Sequence, residues 1–288
     1  MYAITGITGK VGSAAASALL DAGLGVRAVL RDAEKAKRWT DRGCEIATAE
    51  FTDTEALAAA FSGATGVFVM MPSIFDPSPG FPEAQGYIKA IHDAVLKARP
   101  AKVVALSTIG ADSDRPNLLN QLRLMEIAMA RLPMPVAFLR PAWFMENAVL
   151  DVAAARQTGV IESYLQPLDR KVPMVATNDV GRTAAALLQE DWIGVRIVEL
   201  EAWERVSPND IANSLSKAIG RDVRARAVAR GDWEAVFLAQ GMKNPLPRMQ
   251  MIEGFNEGWI DFPHRRAGAR KGEIGISEAI SKLVTTEK

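Results

Sequence analysis

The chain has 288 residues, with 34 Lys plus Arg against 34 Asp plus Glu, 49% hydrophobic residues and 24% charged residues. These proportions are those of a globular chain and exclude a disordered segment, a collagen-like repeat and a coiled coil. A formal net charge of zero argues against a polybasic nucleic-acid binder, whose affinity rests on neutralising phosphates.

Short apolar runs alternate with helical patterns from the start. Residues 2–5 read as a buried strand and 10–22 as an Ala-rich helix; 25–30 is the next strand, followed by a helical stretch over 33–40. Residues 44–48 are strand-like. Thr52-Asp53-Thr54-Glu55 has the form of a capping box and predicts a helix running to Phe61. Residues 66–71, 102–107 and 135–140 complete the strands of the first half, with helices expected over 83–97 and 117–131. The alternation predicts an α/β fold, a doubly wound parallel sheet. The unbroken run Val103-Val104-Ala105-Leu106 suits a strand buried on both faces.

The pattern changes near residue 150. Residues 172–177 read as a strand, Asn178 as the cap of a helix through Leu188, and 196–201 as a further strand. Ser207-Pro208-Asn209-Asp210 combines an N-cap serine, a first-turn proline and an acid three residues on, and should open a helix to about Lys217. Residues 233–259 read as helical and aromatic-rich. The expected division is a dinucleotide-binding domain over 1–150 and a smaller α+β lobe over 151–288. The strand and helix of about 172–201 are expected to pack back on the first domain.

The single cysteine, Cys44, cannot form an internal disulfide or a thiolate metal site, and reads as a small buried hydrophobe. His92 and His264 are too few and too scattered for a metal cluster, so no metal is expected. No apolar run approaches the roughly 18 to 20 residues of a bilayer span. The amino terminus shows no basic, cleavable leader pattern. A cytoplasmic protein is the expectation.

Gly6-Ile7-Thr8-Gly9-Lys10-Val11-Gly12 falls between the first strand and the first helix. This G-x-x-G-x-x-G run is a variant of the dinucleotide fingerprint. Gly6 would allow the tight turn, Gly9 the close approach of backbone amides to a pyrophosphate, and Gly12 the packing of helix on sheet. Thr8, Lys10 and Val11 complete the loop at a helix start that favours an anion. Where an acid at the end of the second strand would accept from a ribose 2′-OH, this chain has Arg31, followed by Lys35, Lys37 and Arg38. A guanidinium there suits a 2′-phosphate and hence NADP(H). Asp32, one residue on, is the competing reading.

Three segments carry a family resemblance. Thr5-Gly6-Ile7-Thr8-Gly9-Lys10-Val11-Gly12 resembles the opening of the NmrA-like, atypical short-chain dehydrogenase/reductase proteins. Leu139-Arg140-Pro141-Ala142-Trp143-Phe144-Met145-Glu146-Asn147 resembles that group's sixth-strand signature, and Val175-Ala176-Thr177-Asn178-Asp179-Val180-Gly181 a later family segment. The resemblance implies a Rossmann domain holding NADP(H), with a smaller lobe over the cleft. It implies either a reductase of quinones or triphenylmethane dyes, or a nucleotide sensor acting on a regulatory protein partner. By the same analogy Met70, Met71, Pro72, Ser107, Thr108, Pro141, Ala142, Trp143 and Phe144 should line the cofactor.

Ordinary short-chain dehydrogenases use Tyr-x-x-x-Lys, and none of Tyr2, Tyr87 or Tyr164 has Lys four residues later. Alcohol–ketone chemistry needs a proton donor at the carbonyl oxygen. Quinones and cationic dyes accept hydride readily, and their products can take protons from water. The expected activity is therefore NADPH-dependent hydride transfer to a planar conjugated acceptor. The catalytic residue is unknown, with Tyr87 and His92 as candidate donors. Phe75 and Phe81, in the proline-rich loop over 72–82, together with Phe144 and Trp233, are candidate substrate-lining residues. Phe237, Met242, Met249, Met251, Phe255 and Trp259 form an apolar set with Trp233, read as core or as a ceiling over the cleft. Arg265, Arg266, Arg270 and Lys271 make a basic cluster near the end. No direct nucleic-acid contact is expected, and the oligomeric state is open.

Overall fold

A computed structural model describes residues 1–262 and 268–286. In chain order the elements are β1 (Tyr2–Ile4), α1 (Lys10–Asp21), β2 (Val26–Leu30), α2 (Lys37–Thr40), β3 (Glu45–Thr48), α3 (Thr54–Phe61), β4 (Gly66–Val69), α4 (Pro82–Ala98), β5 (Lys102–Leu106), α5 (Asn120–Met129) and β6 (Val136–Pro141). There follow β7 (Trp143–Phe144), α6 (Val149–Thr158), β8 (Val160–Ser163), β9 (Met174–Val175), α7 (Thr177–Gln189), β10 (Val195–Ala202), α8 (Pro208–Ile219), β11 (Arg224–Ala227), α9 (Trp233–Ala239), α10 (Leu246–Glu257), β12 (Arg270–Gly272) and α11 (Ile276–Thr286). A 3-10 turn over Ala33–Ala36 precedes α2.

The main sheet has eight strands in the order β12-β10-β6-β5-β4-β1-β2-β3, with every pairing parallel. This is the doubly wound α/β arrangement that the strand–helix alternation predicts. Both faces of the central strands are covered, and β5 and β6 are buried throughout. On one face α1 and α7 pack together. A Cβ on Gly181 of α7 would lie 2.4 Å from the Ala14 Cβ and 2.6 Å from the Val11 carbonyl oxygen of α1. Only glycine permits that approach. The roughly 0.5–1 kcal/mol that glycine costs a helix relative to alanine is the lesser penalty. On the other face Leu57 of α3, Ile88 and Ile91 of α4 and Met125 of α5 share a core with Val67, Val103 and Phe138 of the sheet.

Outside the sheet, β8 and β11 pair in parallel, and α6, α8 and α11 gather around Ala155, Leu215 and Ile280 as a separate small core. Among the described residues no helix is long and apolar enough to cross a membrane. Cys44 is buried, and burial pushes its thiol up against the opposing pull of Arg42.

Four local expectations change. The α3 cap is Asp53, one residue after Thr52; its carboxylate accepts from Ala56 N at 3.0 Å. Asn178 does not cap α7. The helix begins a residue earlier, at Thr177, whose N–H donates to both carboxylate oxygens of Glu146 at 2.9 and 3.0 Å. The strand expected over 172–177 shrinks to β9, which pairs with β7 outside the main sheet, while Val172 bridges to Val206. The helical stretch over 233–259 is broken into α9 and α10. Pro245 and Pro247 close the gap, each at a position where a helix start loses no N–H bond. The Ser207 box is present as read, with Ser207 Oγ accepting from Asp210 N and Asp210 accepting from Ser207 N.

Candidate functional site

In the sheet β1 lies between β2 and β4, so the strand order reverses there. A crevice forms outside the carboxyl ends of the strands at such a switch point. The protein has a cleft of about 350 Å³ at that place. Its walls are Gly6, Thr8 and Gly9 after β1; Val29, Leu30 and Arg31 at the end of β2; Ala49 and Phe51 after β3; Leu57 of α3; and Met70, Pro72 and Ser73 after β4. Thr5 joins the two central loops, its hydroxyl donating to Phe68 O at 3.1 Å and accepting from Met70 N at 3.1 Å.

Gly6 turns the chain off β1 at φ +61°. The loop closes with Gly9 N donating to Gly6 O at 2.9 Å. Gly12 sits beneath it. A Cβ there would fall 2.3 Å from Gly6 O and 2.9 Å from Ile7 N, so any side chain at residue 12 would push into the loop. Val11 is buried with it. Lys10 faces a second, smaller hollow beside Glu146 and Asn178.

At the end of β2 the two competing side chains separate. Arg31 lines the cleft. Asp32 instead caps the 3-10 turn, its Oδ1 accepting from Glu34 N at 2.9 Å. Lys35 lies 3.8 Å from Asp32, Lys37 pairs with Asp41 at 3.0 Å outside the cleft walls, and Arg38 stacks over Trp39. Of the four cations in this stretch, Arg31 is the one that faces the cleft.

The loops after β5 and β6 continue the same edge of the sheet. Thr108 is half-buried, and Pro141 and Ala142 are buried. The Ser107 hydroxyl donates to Glu126 of α5. Glu126 also takes two bonds from Arg140, at 2.8 and 2.6 Å, and the third arm of Arg140 reaches Asp112 at 2.7 Å. Burial alone would push the Arg140 guanidinium down, but the carboxylates of Glu126 and Asp112 raise it. Ser107 is thus committed to this buried network, not to the cleft. Met71 points into the core on the other face of the sheet, whereas Met70 and Pro72 face the cleft. Trp143 meets Phe255 of α10 edge-on at 5.1 Å, and Phe144 is half-buried beside it in β7.

Neither proposed proton donor is among the cleft walls. Tyr87 stacks edge-on against Phe51, which is one of them, at 6.5 Å. His92 Nδ1 is 3.0 Å from Asp93, on α4 away from the cleft walls. Trp233 is 1% exposed and donates from Nε1 to Val228 O; its bulk fills the core, so it lines no cleft. Phe75 is 63% exposed. Phe81 caps α4 in a left-handed conformation, φ 60°. The loop carrying both is strapped to the stretch before α10, because Asp76 accepts from Lys243 N and Asn244 N at 2.8 Å each. Those two amides hold the Asp76 carboxyl below the usual carboxylate range. Phe51 and Leu57 were not singled out from the sequence. They follow the carboxyl end of β3, and the rule that pointed to the loops after strands four to six extends to them. Arg270 pairs with Glu190 and Lys271 with Glu201; Arg265, Arg266 and His264 lie outside the described residues.

Comparison with known proteins adds the family. The family model of the NmrA-like family matches residues 2–261. The chain belongs to the NmrA-like family. It is 28% identical over 253 residues to an NAD(P)H azoreductase of Xenophilus azovorans, covering 85% of this chain and 83% of that protein. It is 24% identical over 288 residues to quinone oxidoreductase 2 of Escherichia coli, covering 99% and 93%. Among solved structures it superposes on an Escherichia coli NADPH-dependent quinone oxidoreductase complexed with NADPH at a TM-score of 0.81, with 21% identity and 98% and 99% of the two chains covered. A Citrobacter sp. triphenylmethane reductase gives 0.80, with 19% identity and 99% of each chain covered. At these identities the structural likeness speaks to the fold.

Proposed function

We propose that this NmrA-like protein binds NADP(H) in the cleft at the β1–β4 switch point and reduces a planar conjugated acceptor such as a quinone. The observation that carries the reading is the side chain selected at the end of β2. Arg31 faces the cleft, while Asp32, the residue that would suit a ribose hydroxyl, is turned away into a cap. The rest of the cleft fits the same group. The bare backbone at residue 12 lets the Gly6–Gly9 loop close onto α1, the start of α1 offers free N–H groups to a pyrophosphate, and Phe51 and Leu57 give apolar walls beside Arg31. The azoreductase and quinone oxidoreductase among the relatives support the same class of reaction.

Bound there, the reduced nicotinamide supplies a hydride. The chain's contribution is placement. The helix that holds Tyr and Lys in ordinary short-chain dehydrogenases is α5, and its buried acid, Glu126, is spent on Arg140 and Ser107. It offers no free proton donor. Acceptors that need hydride first, and protons from water afterwards, suit such a site. The loops after β5 and β6, with the second lobe above them, would hold the acceptor's plane.

The test is steady-state oxidation of NADPH and NADH with a panel of quinones and azo compounds, for the wild-type protein and Arg31→Ala. Turnover should favour NADPH. Arg31→Ala should lose affinity for NADPH about tenfold or more, the scale of one charge-assisted contact, with NADH little changed. Equal loss for both nucleotides would remove Arg31 from the 2′ position. Tight NADPH binding with no turnover on any acceptor would remove the reductase assignment.

A further inference from the structure

Arg248 has no carboxylate partner among the described residues. Arg248 stands in the first turn of α10, which has no acidic residue. A cation at a helix start is opposed by the dipole. Arg248 is half-buried, and its guanidinium lies over Phe237 at 4.6 Å. Its one hydrogen bond among the described residues goes to the Met242 thioether at 3.6 Å, although guanidinium has five donors. The buried Arg140, by contrast, is matched by Glu126 and Asp112, and the half-buried Arg205 by Asp261 and Glu201. Burial lowers the Arg248 pKa, which an adjacent carboxylate would have raised.

Around it is an aromatic floor with polar tips. Tyr164 packs on Phe237 at 4.9 Å and on Trp233 at 5.8 Å. Burial pushes the pKa of the Tyr164 hydroxyl up; the hydroxyl lies near Gln240 and senses the charge of Arg248. The stretch bearing Arg248 is also fixed against the strand ends. Lys243 and Asn244 hold Asp76 of the loop after β4. Pro247 O accepts from Leu118 N, just before α5, at 2.9 Å. The stretch bearing Arg248 is therefore tied to the loops that follow β4 and β5, the side of the sheet assigned to the acceptor in the proposed reaction.

We propose that Arg248, with Tyr164 and Gln240, forms an anion-recognising subsite of the acceptor pocket, selecting planar acceptors that carry a carboxylate or sulfonate. The inference rests on the reductase reading for the word acceptor. Tyr164, which is half-buried, would meet the edge of the ring system, and the guanidinium, seated on the buried Phe237, would pair with the anionic substituent in the fork geometry that suits such groups.

The test compares a neutral naphthoquinone with its sulfonated analogue, using the full chain and NADPH. The wild type should prefer the sulfonated acceptor in kcat/KM. In Arg248→Gln and Arg248→Met the ratio of anionic to neutral kcat/KM should fall about tenfold or more, and Arg248→Lys should keep part of it. Arg248→Met should melt at or above the wild type, since it removes an unmatched, partly desolvated charge. An unchanged ratio overturns the proposal and leaves the reductase reading intact. An unchanged ratio with a lower melting temperature would make Arg248 a structural stack. If no acceptor is turned over, the reductase reading fails, and calorimetry with naphthalene sulfonate decides the subsite separately. Weaker binding to Arg248→Met than to wild type upholds it, and equal binding overturns it.

Discussion

Gly12→Ala probes the cleft at its most constrained point. The new Cβ would sit 2.3 Å from Gly6 O and 2.6 Å from Gly6 C, about 1 Å inside an ordinary contact. Both neighbours are backbone, so relief requires the β1–α1 loop to move. Overpacking of this kind costs roughly 1–3 kcal/mol, and a displacement of about 1 Å in a positioned site can cost on the order of a hundredfold in function. Thermal melts should therefore show a lower Tm, and calorimetry should show NADPH affinity reduced by at least about tenfold. Gly86→Ala is the control: it lies in α4 with nothing within 4 Å of the added carbon, and should stabilise by up to about 1 kcal/mol with NADPH affinity unchanged. Wild-type NADPH affinity in Gly12→Ala would refute the account of the loop as the pyrophosphate cradle.

Three further perturbations follow from the geometry. Burial holds the Asp151 carboxyl up at about 6; the native state binds that proton more tightly, so its penalty is absent at acid pH and full above about pH 6. Asp151→Asn should then stabilise by about 1–3 kcal/mol at about pH 8, at 1.36 kcal/mol per pKa unit, and by little below about pH 4; urea unfolding at the two pH values checks this, and a loss of stability at the higher pH contradicts it. Glu126→Gln breaks a buried pair and should cost roughly 3–5 kcal/mol, with Glu126→Leu/Arg140→Met less costly than the single change; a single variant unfolding in urea like the wild type would be the contrary result. Asp76→Ala frees the 72–82 loop from the stretch before α10, giving faster proteolysis there and a higher KM for acceptor. Because the Asp76 carboxyl is held low, the strap persists at neutral pH and is lost only as pH falls through that lowered value, and a proteolysis rate equal to the wild type's would refute the strap.

The parts of the molecule legible in the sequence are those set by local chemistry. Val103 to Leu106 marks a two-faced buried strand, and the glycine run marks the first turn, because each depends on residues adjacent in the chain. The choice between Arg31 and Asp32 was open, since it turns on whether the 3-10 turn takes its cap from Asp32. Contacts across the chain were invisible for the same reason. Glu146 replaces Asn178 at the start of α7 from 31 residues away. Ser107 is drawn from the cleft edge by Glu126, and Trp233 is drawn into the core by Tyr164, Phe237 and the Val228 carbonyl. Arg248 gives no signal in the sequence, because an unmatched guanidinium is recognised only once its surroundings are known.

The most direct test is a single turnover. The protein loaded with one equivalent of NADPH is mixed rapidly with excess naphthoquinone, and the reduced-nicotinamide absorbance is followed. The account predicts a first-order decay that requires the protein, is faster than with NADH, and weakens in Gly12→Ala. A complex that binds NADPH tightly yet shows no decay beyond the protein-free mixture would contradict it.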